Sequence, residues 1–210
     1  MRFVDLSHPI ATGMPVYPGD PEVAIEHALT IDTDGVAVDQ LSLGSHSGTH
    51  LDAPSHSIVG GRTVDELSLE QLWGRARVLR ASVDPGSEIG VADLEIPDRL
   101  PGIVVVSTGW DAYFGTSAAI EHPNISLDLA KLLWSRGARV LGVDTLSPDA
   151  TGSEVLDMPV HEFWLGSDGV IVENLRGLGA IPDEVEVSML PLRLAGVDGS
   201  PVRVVARFNA

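Results

Sequence analysis

Residues 46–56 read His46-Ser47-Gly48-Thr49-His50-Leu51-Asp52-Ala53-Pro54-Ser55-His56, which places three of the chain's seven histidines and a carboxylate in one short stretch. Imidazole nitrogens and carboxylate oxygens suit zinc, manganese or iron, and each must approach the ion to about 2.0–2.2 Å, so the donors have to converge tightly. On a straight strand His46 and His50 would stand roughly 13 Å apart at ~3.3 Å per residue, too far to share an ion. The chain must therefore turn between them. Gly48 supplies the freedom for that turn, and Pro54 bends the chain again before His56. Any one of these histidines alone reads as a polar loop residue. Four donors interleaved with a glycine and a proline read as a metal-binding loop, which its ion would also order.

Two further donors lie downstream. His161 follows Pro159 by two residues, which suits the first turn of a short helix through Trp164 and Leu165; taken alone it reads more readily as a partly exposed helix residue than as a ligand. Glu173 ends Gly169-Val170-Ile171-Val172-Glu173, a run that reads as a buried strand. A buried carboxylate is costly without a cation; in the other reading Glu173 reaches solvent or Arg176. Six donor groups exceed what one tetrahedral zinc holds while keeping a position open for substrate. Two ions ~3.5–4 Å apart can share a carboxylate, acidify a water and polarise a substrate oxygen. Asp52 is the natural bridge.

The remainder of the chain narrows the function. Its 210 residues include 30 Asp and Glu against 13 Lys and Arg, a formal net charge of −17. Affinity for nucleic acid comes from Lys and Arg at phosphates, so this balance excludes it. No run of about 18 apolar residues occurs, and no membrane span is expected. Asp5 and His8 interrupt the N-terminal segment, leaving no apolar middle of a secretory signal, so the location reads as cytoplasmic. The absence of cysteine removes disulfides and Cys-type zinc sites.

Glycine and proline are spread throughout and no internal repeat occurs, so residues 1–210 read as one domain. Short β-rich runs recur at Phe3–Leu6, Val36–Leu43, Ala76–Ala81, Ile103–Ser107, Val140–Val143, Val170–Val172, Val185–Leu190 and Val202–Arg207. A helix is expected over Ser126–Arg136, capped by Ser126, with Asp128 in its first turn and Gly137 after its end. A second is expected over Val64–Trp73, where Leu67, Leu69, Leu72 and Trp73 give apolar spacing. Strands outnumber helices, so the expected class is α+β, with a mixed sheet and flanking helices, over a doubly wound parallel sheet.

The pattern His-x-Gly-Thr-His-x-Asp-x-Pro-x-His at 46–56 resembles the metal-dependent cyclase-like hydrolases, a family that includes bacterial kynurenine formamidase and isatin hydrolase. The resemblance extends over essentially the whole chain. It is reinforced by Asp5-Leu6-Ser7-His8-Pro9-Ile10, by Pro15-Val16-Tyr17-Pro18-Gly19-Asp20, by Leu141-Gly142-Val143-Asp144-Thr145 with Ser147 and Asp149, and by Val160-His161 followed by Val172-Glu173-Asn174-Leu175. It implies a β/β/α fold of the swivelling type, a homodimer, and two divalent ions, zinc or manganese. His46, His50 and Asp52 would bind one ion; Asp52, His161 and Glu173 would bind the second; His56 would be the catalytic acid/base.

The expected activity is hydrolysis of an amide bond in a small aromatic molecule, such as N-formylkynurenine, by a metal-activated water with His56 moving the proton. Lactam opening of the isatin-hydrolase kind and polyketide cyclisation are the alternative enzymes; a metal-braced ligand-binding module is the non-enzyme alternative. Tyr17 and Trp164 offer flat surfaces for an aromatic substrate, and each is equally explained by packing. Tyr17 stands where formamidases often carry Trp. Structural roles are expected for His8, His27 and His122, and Asp144 and Asp149 are candidates to hydrogen-bond ligating imidazoles.

Overall fold

Ile103-Val104-Val105-Val106 is apolar at four successive positions, and these residues form a strand buried on both faces. Such a strand has to lie between two cores. Ile103 and Val105 pack into one apolar cluster, Val104 and Val106 into another, and the neighbouring strands repeat the alternation with Val140 against Leu141 and Val170 against Ile171.

The computed structural model describes residues 1–152 and 157–209. Its strands are β1 (Arg2–Asp5), β2 (Ala24–Leu29), β3 (Val38–Ser42), β4 (His50–Asp52), β5 (Trp73–Arg80), β6 (Glu88–Ile89), β7 (Ile103–Ser107), β8 (Asn124–Ile125), β9 (Val140–Val143), β10 (Val170–Glu173), β11 (Glu184–Ser188), β12 (Gly199–Pro201) and β13 (Val205–Phe208). The α-helices are α1 (Ile31–Asp34), α2 (Leu69–Leu72), α3 (Leu127–Ser135) and α4 (Pro159–Gly166). Nine strands form one sheet in the order β1-β13-β11-β5-β7-β9-β10-β4-β12. The centre of this sheet, β5-β7-β9-β10, is parallel, and its other pairings are antiparallel; β6 and β8 form a separate parallel pair. This is the mixed sheet of an α+β protein. Helices α3 and α4 pack together, on the cluster that holds Val104, Leu141 and Ile171. Helix α3 buries Leu129, Ala130 and Leu133 there, worth roughly 1.5–3 kcal/mol for each leucine.

The sheet curls so that its two ends meet. The Leu6 N–H bonds the Val204 carbonyl, the Arg176 N–H bonds the Leu6 carbonyl, and the Val202 N–H bonds the Thr49 carbonyl. Leu6, Leu51, Val172, Val187 and Ala206, drawn from both ends, consequently share one cluster. Strands β2 and β3 form a separate hairpin, exposed along most of its length. Among the described residues no helix is long and apolar enough to cross a membrane.

The helix expected over Val64–Trp73 is a point of correction. The segment forms a 3₁₀ turn at Val64–Glu66, then α2, and Trp73 already begins β5. Ser and Thr hydroxyls and their acidic neighbours compete with helical backbone bonds. Here Thr63 and Glu66 form a capping box that starts only one turn, the Thr63 N–H bonding Glu66 Oε2 at 2.9 Å; Leu67 and Ser68 then have extended dihedrals, and a second helix starts after Ser68, whose Oγ bonds Glu70 Oε2 at 2.6 Å.

Candidate metal centre

The short strand β4 decides the layout. It pairs antiparallel with β10, placing Glu173 opposite His50 and Ile171 opposite Asp52, while Leu51 turns into the apolar core. His50, Asp52 and Glu173 thus share one face of the sheet, the alternation of a β-strand putting residues two apart on one side. The preceding turn is made at Gly48, whose φ of +65° lies in the left-handed region. Its carbonyl accepts from His50 Nδ1 at 2.8 Å and from Asn174 Nδ2 at 3.1 Å, and Thr49 Oγ1 donates to the Asn174 carbonyl at 2.6 Å. These bonds fold His46 back toward His50.

Helix α4 brings His161 to the same place. Pro159 starts the helix, and Asp149 caps it, accepting from the Val160 N–H at 2.9 Å and the His161 N–H at 3.0 Å. The same carboxylate accepts from His161 Nδ1 at 2.7 Å. That bond fixes the ring and leaves Nε2 facing Asp52 and Glu173, at 3.9 and 3.4 Å. On the other side His46 Nδ1 lies 2.7 Å from Asp52 Oδ1, and His50 Nε2 lies 3.4 Å from Asp52 Oδ1 and 3.2 Å from Glu173 Oε2.

Three sets of donors result, and within each the donor atoms lie within 4.8 Å of one another: His46, His50 and Asp52, and Asp52, His161 and Glu173, which share Asp52, and the more exposed His46, His56 and Asp198. His50 Nε2, Asp52 Oδ2 and Glu173 Oε1 are buried and make no hydrogen bond among the described residues. Bare polar atoms of this kind are costly. Nitrogen and oxygen donors converging without protein partners fit a divalent cation such as zinc or manganese.

The titration behaviour of the ring nitrogens reflects the same crowding. Burial opposes charge on His161, but the hydrogen bond to Asp149 and the nearby carboxylates of Glu173 and Asp52 outweigh it and raise the imidazole to about 10. His50, also opposed by burial, is raised well above its ordinary value by Asp52 and Glu173. Asp52 is held well below the carboxylate range: burial works against this, and His50 and His46 overcome it.

His56 ends the 3₁₀ turn Pro54–His56, its ring 4.1 Å from that of His46 and 5.8 Å from that of His161. It is more exposed than the five donor side chains of the two sets that share Asp52 and borders a cavity of about 330 Å³, on a scale suited to a small organic molecule. His46, His50, His161 and Glu173 line it together with Tyr17, Asp20, Phe114 and Met158.

Of the residues singled out from the sequence, the structure gathers His46, His50, Asp52, His56, His161 and Glu173 in one place and puts Tyr17 in the cavity wall. Trp164 is a correction. It is fully buried between the helices, its ring 5.4 Å from that of Trp134, and its Nε1 donates to the Arg139 carbonyl at 3.2 Å, so it is absent from the cavity wall. Asp149 bonds a candidate ligand, whereas Asp144 accepts from the Thr108 and Gly109 N–H groups. His27 is an exposed partner of Asp39, His122 bonds Thr151 and the Pro123 carbonyl, and His8 stacks on Phe114. Asp198, which carried no signal in its own sequence neighbourhood, bonds both His46 and His56.

The family model described as "Putative cyclase" matches residues 4–150. A kynurenine formamidase from Maricaulis maris (strain MCS10) is 32% identical over 212 residues, covering 97% of this chain and 96% of the relative. A crystal structure of an isatin hydrolase bound to the product analogue thioisatinate is 25% identical with a TM-score of 0.87, covering 99% of this chain and 92% of that one. The structure of a potential metal-dependent hydrolase with cyclase activity is 27% identical with a TM-score of 0.77, covering 99% of both chains.

Proposed function

The chain belongs to the cyclase family and is a hydrolase of carbon–nitrogen bonds other than peptide bonds; on that premise we propose that it cleaves an amide of a small aromatic molecule, with aryl formamides such as N-formylkynurenine as the first class. The observation that carries this reading is the pair of donor sets sharing Asp52 at the cavity, with His56 beside them. In this proposal His46, His50 and Asp52 hold one divalent ion, and Asp52, His161 and Glu173 hold the other, zinc or manganese. When bound, such ions supply an acidified water and a polarised carbonyl.

The chain's own residues do the remaining work. His56 takes a proton from the attacking water at Nε2 and returns it to the departing nitrogen. Tyr17 and Phe114 flank the space where an aromatic ring would lie, and Asp149 keeps the His161 ring from rotating. No Lys or Arg lines the cavity among the described residues. A substrate carboxylate therefore finds no side-chain cation there, and a charge-assisted contact of that kind is worth ~1.5–3 kcal/mol, at least tenfold in affinity. N-formylkynurenine and an uncharged aryl formamide are thus expected to have kcat/KM values within about tenfold of one another. Steady-state kinetics of metal-loaded protein on these two and on isatin test the proposal: ring opening of isatin alone favours the lactam reading, and turnover of none favours the cyclase reaction.

A homodimer is part of the same proposal. Leu29, Val38 and Leu41 of the β2–β3 hairpin are exposed. A lone two-stranded hairpin is marginally stable in water, so the proposed partner for it is a second copy of the chain. Light scattering is expected to give twice the 22.2 kDa chain mass, and Leu41→Asp to shift the protein toward monomer; a monomeric parent protein would refute the dimer.

A further inference from the structure

Asp198 immediately precedes β12, whose register sets Gly199 opposite Asp52. The Asp198 carbonyl accepts from the Ala53 N–H at 2.8 Å, so its backbone is tied to the 46–56 segment. The approach is close: a Cβ on Gly199 would stand 2.8 Å from His46 Cε1 and 3.0 Å from the Leu51 carbonyl oxygen. The carboxylate reaches two rings at once. Its Oδ2 lies 2.9 Å from His46 Nε2 and 3.2 Å from His56 Nδ1.

An ionised carboxylate only accepts hydrogen bonds, so both of these ring nitrogens carry hydrogen. The remaining nitrogens are His46 Nδ1, whose 2.7 Å hydrogen bond to Asp52 Oδ1 would give way to an ion held between them, and His56 Nε2. We infer that Asp198 is a positioning residue shared by the two histidines, one oxygen orienting His46 to offer Nδ1 to the metal centre and holding His56 in the tautomer whose Nε2 handles the proton. The inference rests on the roles proposed above for His46 and His56. It joins ion binding and proton transfer through a single side chain more than 140 residues from both in sequence.

The experiment compares Asp198→Ala and Asp198→Asn with the parent protein, taking thermal melts to establish folding. Asp198→Ala is expected to lower kcat and metal affinity, each by roughly 10–100-fold, the range for losing a carboxylate that orients a ligating imidazole. Metal stoichiometry at saturation should not change. In ¹⁵N spectra of histidine-labelled protein, His56 should move away from the Nδ1–H tautomer in Asp198→Ala. Asp198→Asn, whose amide oxygen can accept both bonds, should retain that tautomer and lie between the other two in kcat. An unchanged His56 tautomer in Asp198→Ala would overturn the positioning role. A drop in saturating metal stoichiometry would do so too, making Asp198 a ligand alongside His46 and His56. The tautomer and metal readouts need no substrate, so failure of the parent protein to cleave any amide counts against the functional reading alone.

Discussion

Asp52→Ala is expected to leave the protein without bound metal and with only the turnover of chelator-treated parent protein. Asp52 is the one residue common to the two donor sets proposed to hold ions, and its carboxylate is fully buried. Removing it leaves each set with two donors, short of the three protein ligands of a typical catalytic zinc site. At a metal concentration a thousandfold above Kd, the parent should gain ~4.1 kcal/mol of stability per site from binding, and the variant should gain none. The metal-free forms should differ as well. His50 has a raised folded pKa, so its contribution to stability is complete below its ordinary 6.5 and fades as pH rises through the folded value. Asp52 has a depressed one, so its contribution is present above its ordinary 3.8 and is lost as pH falls through the folded value. Both are complete between those ordinary values, and Asp52→Ala removes the Asp52 contribution and the part of the His50 contribution that Asp52 supplies, leaving the part from Glu173. The metal-free variant should therefore melt furthest below the metal-free parent near pH 5, and breaking a buried pair of this kind costs about 3–5 kcal/mol. Elemental analysis and thermal melts at pH 5 and pH 8 check this; full metal content in the variant would exclude a bridging role.

What could be read from the residues depended on how local each determinant is. Strands β7 and β9 coincide with their expected ranges, because four or five apolar residues in a row need only two cores to bury them. Helix α3 starts where its cap predicts: Ser126 Oγ accepts from the Leu129 N–H at 3.1 Å. The turn at Gly48 and the helix bearing His161 follow from glycine and proline chemistry acting within a few residues. Apolar spacing over Val64–Trp73 points to a single helix, but the extended backbone at Leu67 and Ser68 divides the segment into two separately capped turns. Proximity to His161 along the chain does not fix which neighbour a ring packs on, and the fit of Trp164 beneath Trp134 depends on the contact between α3 and α4. Asp198 lay beyond reach altogether, since only the pairing of β12 with β4 brings it to the histidines. A site whose ligands sit in one loop shows itself in spacing; the residues that orient those ligands come from the sheet's topology.

His56→Ala separates proton transfer from ion binding. The side chain belongs to neither donor set that shares Asp52, its hydrogen bond is to Asp198 and not to a residue of those sets, and it is partly open to the cavity. Its removal should leave the fold and the metal content close to those of the parent protein. A general acid/base contributes ~10²–10⁴-fold, so kcat should fall by that factor with KM little changed. In transition-state terms this is ~2.7–5.4 kcal/mol. The loss should fall on the chemical step because the histidine matters while a proton moves, not while the substrate sits in the cavity. The space left beside the cavity should admit free imidazole, and added imidazole should restore part of the rate in His56→Ala and none in Asp52→Ala, where the ions are gone. Kinetics with elemental analysis of the same sample decide the matter. Unchanged turnover would remove His56 from the mechanism, and loss of metal along with turnover would make it a ligand with His46 and Asp198.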